Sequence, residues 1–136
     1  MSAQLKSYEF IVKEHHLDTF GHVNNSMYLQ LFEEARWQII TDGGYGLAEV
    51  QKNQKGPVIL EITIKFLKEL KLREKIKINY ETVNYTGKIG QVKQQMINEK
   101  NEVACEAVFT VGFFDLVLRR LINPTEEWKK AIGLTS

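Results

Sequence analysis

The sequence predicts an α+β fold in which an antiparallel sheet of five strands wraps one long helix, and two observations carry that expectation. Apolar residues recur at three and four residues in one early stretch, Tyr28, Leu31, Phe32, Ala35, Ile39 and Ile40, which marks the buried face of an amphipathic helix. From Pro57 to Phe113 the apolar residues alternate at a period of two instead, as they do on half-buried strands. At 136 residues the chain is expected to be one domain, residues 1–136, with no linker, repeat or low-complexity segment and no room for a separate cofactor domain.

Each element has its own signal. Tyr8, Phe10 and Val12 alternate with polar neighbours and predict a short first strand leading into a histidine-rich turn. The long helix follows, with Asn24 or Asn25 as its N-cap and Asp42-Gly43-Gly44 as its stop. Leu47–Asn53 adds a helical turn before Gly56-Pro57 restarts the backbone. The second strand sets Val58, Leu60, Ile62, Ile64 and Phe66 on one apolar face, against Ile59, Glu61, Thr63 and Lys65 on the other. Ile76, Ile78, Tyr80 and Thr82 form the third strand, and residues 84–88 turn the hairpin. Ile89–Ile97 is the fourth strand, weakened by Gly90 and its glutamines, and residues 98–102 are the next turn. Val103, Cys105, Ala107, Phe109, Val111 and Phe113 make the last strand, and Asn123-Pro124-Thr125-Glu126-Glu127 opens a short final helix.

Composition narrows the function. A net charge of +1 leaves no basic face for nucleic acid or an anionic membrane, so neither is an expected partner. A single cysteine gives no intramolecular disulfide, the N-terminus lacks the apolar run of a signal peptide, and no stretch approaches membrane-spanning length. A soluble cytoplasmic protein is the expectation.

The chemistry gathers at Leu17-Asp18-Thr19-Phe20-Gly21-His22-Val23-Asn24-Asn25-Ser26-Met27-Tyr28, where an acid, an imidazole, two amides and a glycine meet the start of the helix. All three histidines, His15, His16 and His22, fall in or just before it, and the turn is read as the active site. No metal is expected there, because the spacing of His15, His16, Asp18 and His22 matches no recognised zinc signature. Cys105 on its strand reads as a small buried hydrophobe. Gly21 allows a positive φ or a close backbone approach, or simply makes the turn. Asn24 and Asn25 are site amides or ordinary helix caps.

The order of elements, with Asp-x-x-Gly-His-Val-Asn-Asn-x-x-Tyr from Asp18 to Tyr28 and Phe32-Glu33-Glu34-Ala35-Arg36 behind it, resembles the hotdog-fold acyl-CoA thioesterases of the 4-hydroxybenzoyl-CoA thioesterase family. The likeness runs from residue 8 to residue 128, strong in the first third and a pattern of strands thereafter. It implies a hotdog fold and hydrolysis of an acyl-CoA thioester without a cofactor. Asp18 takes the position of the catalytic carboxylate, as nucleophile or as general base toward water. The main-chain N–H of Asn25 takes that of the oxyanion donor, Gly21 provides access, and His22 either assists proton movement or caps the turn.

Asn24, Tyr28 and Glu33 are expected at the substrate. Tyr28, Trp37, Tyr45 and Phe66 divide between an acyl tunnel and ordinary core. Glu33 or Glu34 is expected to pair with a base such as Arg36. Lys88, Arg119 and Arg120 stand where relatives place cations for the coenzyme A phosphates, or are ordinary solvated charge. The resemblance also implies a homodimer, or a tetramer of two dimers, with pantetheine running between subunits toward Asp18.

Two departures matter. His16 stands where many relatives carry a second acid, which predicts a protonation switch near neutral pH. Phe20 replaces an asparagine of the plant carrier-protein enzymes and favours a coenzyme A thioester. A non-catalytic acyl-CoA binding protein is the alternative function. A hotdog hydratase or dehydratase ranks below it, because the helix lacks an acid-and-histidine pair.

Overall fold

The computed structural model describes residues 6–18, 23 and 25–134. β1 (Lys6–Ile11) leads through a 3-10 turn (Glu14–His16) to α1 (Asn25–Asp42), and α2 (Leu47–Asn53) follows. Then come β2 (Lys55–Phe66), β3 (Lys75–Thr86), β4 (Ile89–Ile97), β5 (Val103–Asp115), the short β6 (Arg120–Ile122) and α3 (Glu126–Ala131). The strands are antiparallel in the order β1-β3-β4-β5-β2, with β6 added along β5. This is the helix-wrapped sheet that the sequence predicts, with one strand more than expected. β6 is only three residues long and is defined by its pairing of Phe113 with Ile122 and Asp115 with Arg120, so no alternation announces it.

α1 buries the six residues of its apolar stripe, Tyr28, Leu31, Phe32, Ala35, Ile39 and Ile40, against the concave face of the sheet. That face carries Ile76, Ile78 and Tyr80 from β3, Val92 and Met96 from β4, and Phe109, Val111 and Phe113 from β5. Each such side chain, fully buried, contributes about 1.5–3 kcal/mol. At the far end of α1, Phe113 stacks on Trp128 at 5.2 Å and Tyr45 meets both rings edge-on at 5.6 Å. The Tyr45 hydroxyl is satisfied there, donating to the Lys55 carbonyl at 2.8 Å.

The end of α1 packs tightly on α3. A β-carbon on Gly43 would lie 2.6 Å from the Ala131 carbonyl oxygen, and Gly44 takes φ +104°, so both glycines of the predicted stop are required. The β3–β4 hairpin is tighter than expected. Thr86 pairs with Ile89 across a two-residue turn, Gly87-Lys88, with Gly87 at φ +62°.

The second strand departs from the expected pattern. A bulge at Leu60 shifts the register between Ile59 and Glu61, so Ile59 shares the concave face with Ile62, Ile64 and Phe66, while Val58 faces outward. Strict alternation assigns Val58 to the wrong side because it has no place for Leu60 as an extra residue. β2 is also an edge strand, and Ile59, Leu60, Ile62 and Phe66 are 38–49% exposed rather than half-buried in one chain.

Candidate active site

The 3-10 turn fixes the approach to the site. His16 is buried, its N–H donates to the Lys13 carbonyl at 2.9 Å, and its Nδ1 accepts from the Lys13 N–H at 2.9 Å, so Nδ1 is an acceptor and the ring is neutral. Burial lowers the pKa of His16, His15 and Lys13 lower it further, and Glu34 opposes them. The expected switch near neutral pH is therefore displaced to more acid conditions. The cause is burial of the ring, which lies edge-on to Phe10 of β1 at 6.1 Å and against His15 at 4.1 Å.

Leu17 and Val23 then pair as an isolated antiparallel bridge. Asp18, half-buried, starts the loop that this bridge closes, and Asn25 starts α1 two residues beyond it. The backbone thus returns Asp18 and the first N–H groups of α1 to one place. Those N–H groups have no acceptor inside the helix and sit at the positive end of its dipole. Gly21, His22, Asn24 and Phe20 lie outside the described residues.

Tyr28, in the first turn of α1, packs edge-on against Phe66 at 5.0 Å. Its hydroxyl is pushed up to about 12, chiefly by burial. Tyr28 and Tyr45 are core, whereas Phe66 is half exposed and Trp37 lines a cavity. Cys105 is fully buried and its thiol is also pushed up to about 12 by burial, which leaves it no thiolate to react with.

The remaining predicted residues are not all together. Lys88 lies in the β3–β4 turn, while Arg119 and Arg120 lie between and on β5 and β6, with Arg119 5.3 Å over the Phe114 ring. These cations share the end of the sheet where Ile89 pairs with Gly112. Phe66 pairs with Cys105 at the opposite end, beside Tyr28. One chain therefore separates the cations from the start of α1 by roughly 20 Å of strand.

The helix acids also differ from expectation. Glu33 and Glu34 are exposed, and neither forms an ion pair with Arg36 among the described residues. Arg36 turns inward and donates from Nη1 to Gln94 Oε1 at 2.9 Å, with its guanidinium 4.6 Å over the Phe109 ring. Gln94 is fully buried and donates in turn to the Phe32 carbonyl at 3.1 Å. Sequence reading missed this pair, since a glutamine on a strand signals only weak β-propensity; its place in the concave register of β4 was the available clue. Among the described residues no group of three His, Cys, Asp or Glu side chains is placed to hold a metal ion, and no helix is long and apolar enough to cross a membrane.

Residues 12–132 match the family model of the thioesterase-like superfamily. Over 123 residues the chain is 27% identical to the long-chain acyl-CoA thioesterase FadM of Escherichia coli strain K12, covering 90% of this chain and 89% of that protein. Among solved structures, the protein SAV2348 from Staphylococcus aureus in complex with CoA superposes with a TM-score of 0.88 at 19% identity, over 97% of this chain and 84% of that one. The DHNA-CoA thioesterase from Staphylococcus aureus superposes with a TM-score of 0.82 at 20% identity, over 93% and 87%. At these identities the structural likeness speaks for the fold, which is that of the hotdog thioesterases.

Proposed function

The chain belongs to the thioesterase-like superfamily, and from that premise we propose that it hydrolyses acyl-coenzyme A thioesters, with Asp18 performing the chemical step. The observation that carries the proposal is the Leu17–Val23 bridge, which returns the Asp18 loop to the N-terminus of α1. A thioester carbonyl at that point meets the N–H of Asn25 as its oxyanion donor, while the Asp18 carboxylate attacks it or takes a proton from an attacking water. The tetrahedral intermediate collapses with loss of the coenzyme A thiolate, a good leaving group; the water route releases the acid directly, whereas the nucleophilic route leaves an acyl anhydride on Asp18 that water then hydrolyses. By the same family resemblance, Gly21 is assigned access for the acyl group, His22 assistance to proton movement and Asn24 substrate binding.

The binding site is completed by a second copy of the chain. β2 is an edge strand with large apolar side chains exposed, a surface suited to pairing with itself about a two-fold axis. Antiparallel pairing of two β2 edges reverses the ends of the sheet. Lys88, Arg119 and Arg120 of one protomer then lie toward the α1 N-terminus of its partner, where they meet the coenzyme A phosphates. A dimer is the minimum unit, and two such dimers make a tetramer.

The test is turnover of a panel of acyl-CoA thioesters, aliphatic and aromatic, with the released thiol trapped by a chromogenic reagent. Thiol release from at least one class is expected. Binding of thioesters without thiol release from any of them contradicts the enzyme reading and makes the protein an acyl-CoA binding module.

A further inference from the structure

A cavity of about 190 Å³ lies between α1 and the concave face of the sheet, from Ile59 of β2 across to Tyr80 of β3, and it holds an unusual group for an acyl site. Its wall is apolar, with Trp37, Ile59, Val111 and Trp128, yet Arg36 lines it. A guanidinium has five N–H donors, and Arg36 has one described acceptor, Gln94 Oε1. No carboxylate lies within ion-pair distance of Arg36 among the described residues, though Glu33 lines the same cavity.

The cavity and the first turn of α1 lie at two ends of one apolar strip on β2. Phe66, Ile64, Ile62 and Ile59 share the concave side of β2, from the Tyr28 contact at the first turn of α1 to the wall of the Arg36 cavity. Arg36 itself lies roughly 16 Å along the helix from Asn25, at 1.5 Å per residue.

We propose that the cavity receives the far end of the acyl group and that Arg36 makes the protein selective for chains ending in a hydroxyl. The inference rests on the thioesterase reading and names its substrate class. A hydroxyl oxygen accepts from Arg36, and its proton is donated to the Glu33 carboxylate. A hydrocarbon end displaces water from the guanidinium and gives it no acceptor, which costs binding. A terminal carboxylate satisfies Arg36 but faces the like charge of Glu33.

The experiment compares decanoyl-CoA with its ω-hydroxy and ω-carboxy counterparts of the same length, and repeats the series with butanoyl chains that do not reach Arg36. The intact protein is expected to favour the ω-hydroxy decanoyl thioester over the plain one by about tenfold or more in kcat/KM, with no such preference among the short chains. In Arg36→Met the ratio should fall to about one, and Arg36→Lys should keep part of it. The ratio is internal to each variant, so a general loss of activity does not obscure it. Calorimetric binding of the same thioesters to Asp18→Asn reads the preference without turnover. Absence of turnover with this binding preference intact overturns the thioesterase reading alone. Equal treatment of the three long chains by the wild-type protein, or preference for the ω-carboxy chain, overturns the present proposal.

Discussion

His16 shows how a local turn sets the chemistry of a single residue. Its ring accepts the Lys13 N–H and is enclosed, and the folded protein holds its pKa below the ordinary 6.5. The folded state thus binds this proton less readily than the unfolded chain does. The contribution to stability is fully present above about pH 6.5 and is lost as pH falls through the lower folded value. Urea midpoints should decline on acidification across that window, and His16→Asn, which retains an acceptor near Nδ1, should remove that component of the decline. Arg36 and Gln94 are a second case. Gln94→Leu takes away the acceptor of a largely buried guanidinium and should cost about 1–3 kcal/mol in denaturant unfolding. The sequence shows the helical neighbours of Arg36, Glu33 and Glu34, and so suggests those as partners. The true partner lies on another element, which only the register of β4 brings within reach.

At the scale of elements, periodicity was informative wherever an element is long and one-sided. The buried face of α1 is the predicted stripe, and α2 and β4 have the predicted bounds. Features that depend on pairing were hidden: the Leu60 bulge, the exposed edge of β2 and the three-residue β6. Gly90 illustrates the same division. In sequence it weakens a strand, whereas in the fold it makes room for the Tyr85 ring, which lies 2.3 Å from where a β-carbon would sit. Gly90→Ala should therefore destabilise the protein by about 1–3 kcal/mol, measured by thermal or urea unfolding, because the ring must shift out of the hairpin.

For the whole molecule, a single chain leaves the β2 sheet edge unpaired, and the Arg36 cavity reaches that strand at Ile59. Ile62, 42% exposed on the concave side of the edge strand, is central to the surface proposed for dimer formation. Ile62→Lys should shift the proposed dimer toward monomer in sedimentation or light scattering and lower thioesterase activity with it. The roles proposed for Asp18, Asn25 and Gly21 rest on a contiguous motif, so sequence alone suffices to suggest them. The role proposed for Lys88, Arg119 and Arg120 requires a second copy of the chain, which the sequence of one chain does not display.

The most direct measurement is steady-state hydrolysis of the best acyl-CoA substrate by the wild-type protein, Asp18→Asn and Glu33→Gln, with folding of each checked by circular dichroism. Loss of the chemical step with Asp18 predicts a fall in kcat of about 10²–10⁴-fold for a folded Asp18→Asn. Near-wild-type kcat in Asp18→Asn, together with complete loss in Glu33→Gln, would move the catalytic carboxylate to the helix and contradict the account.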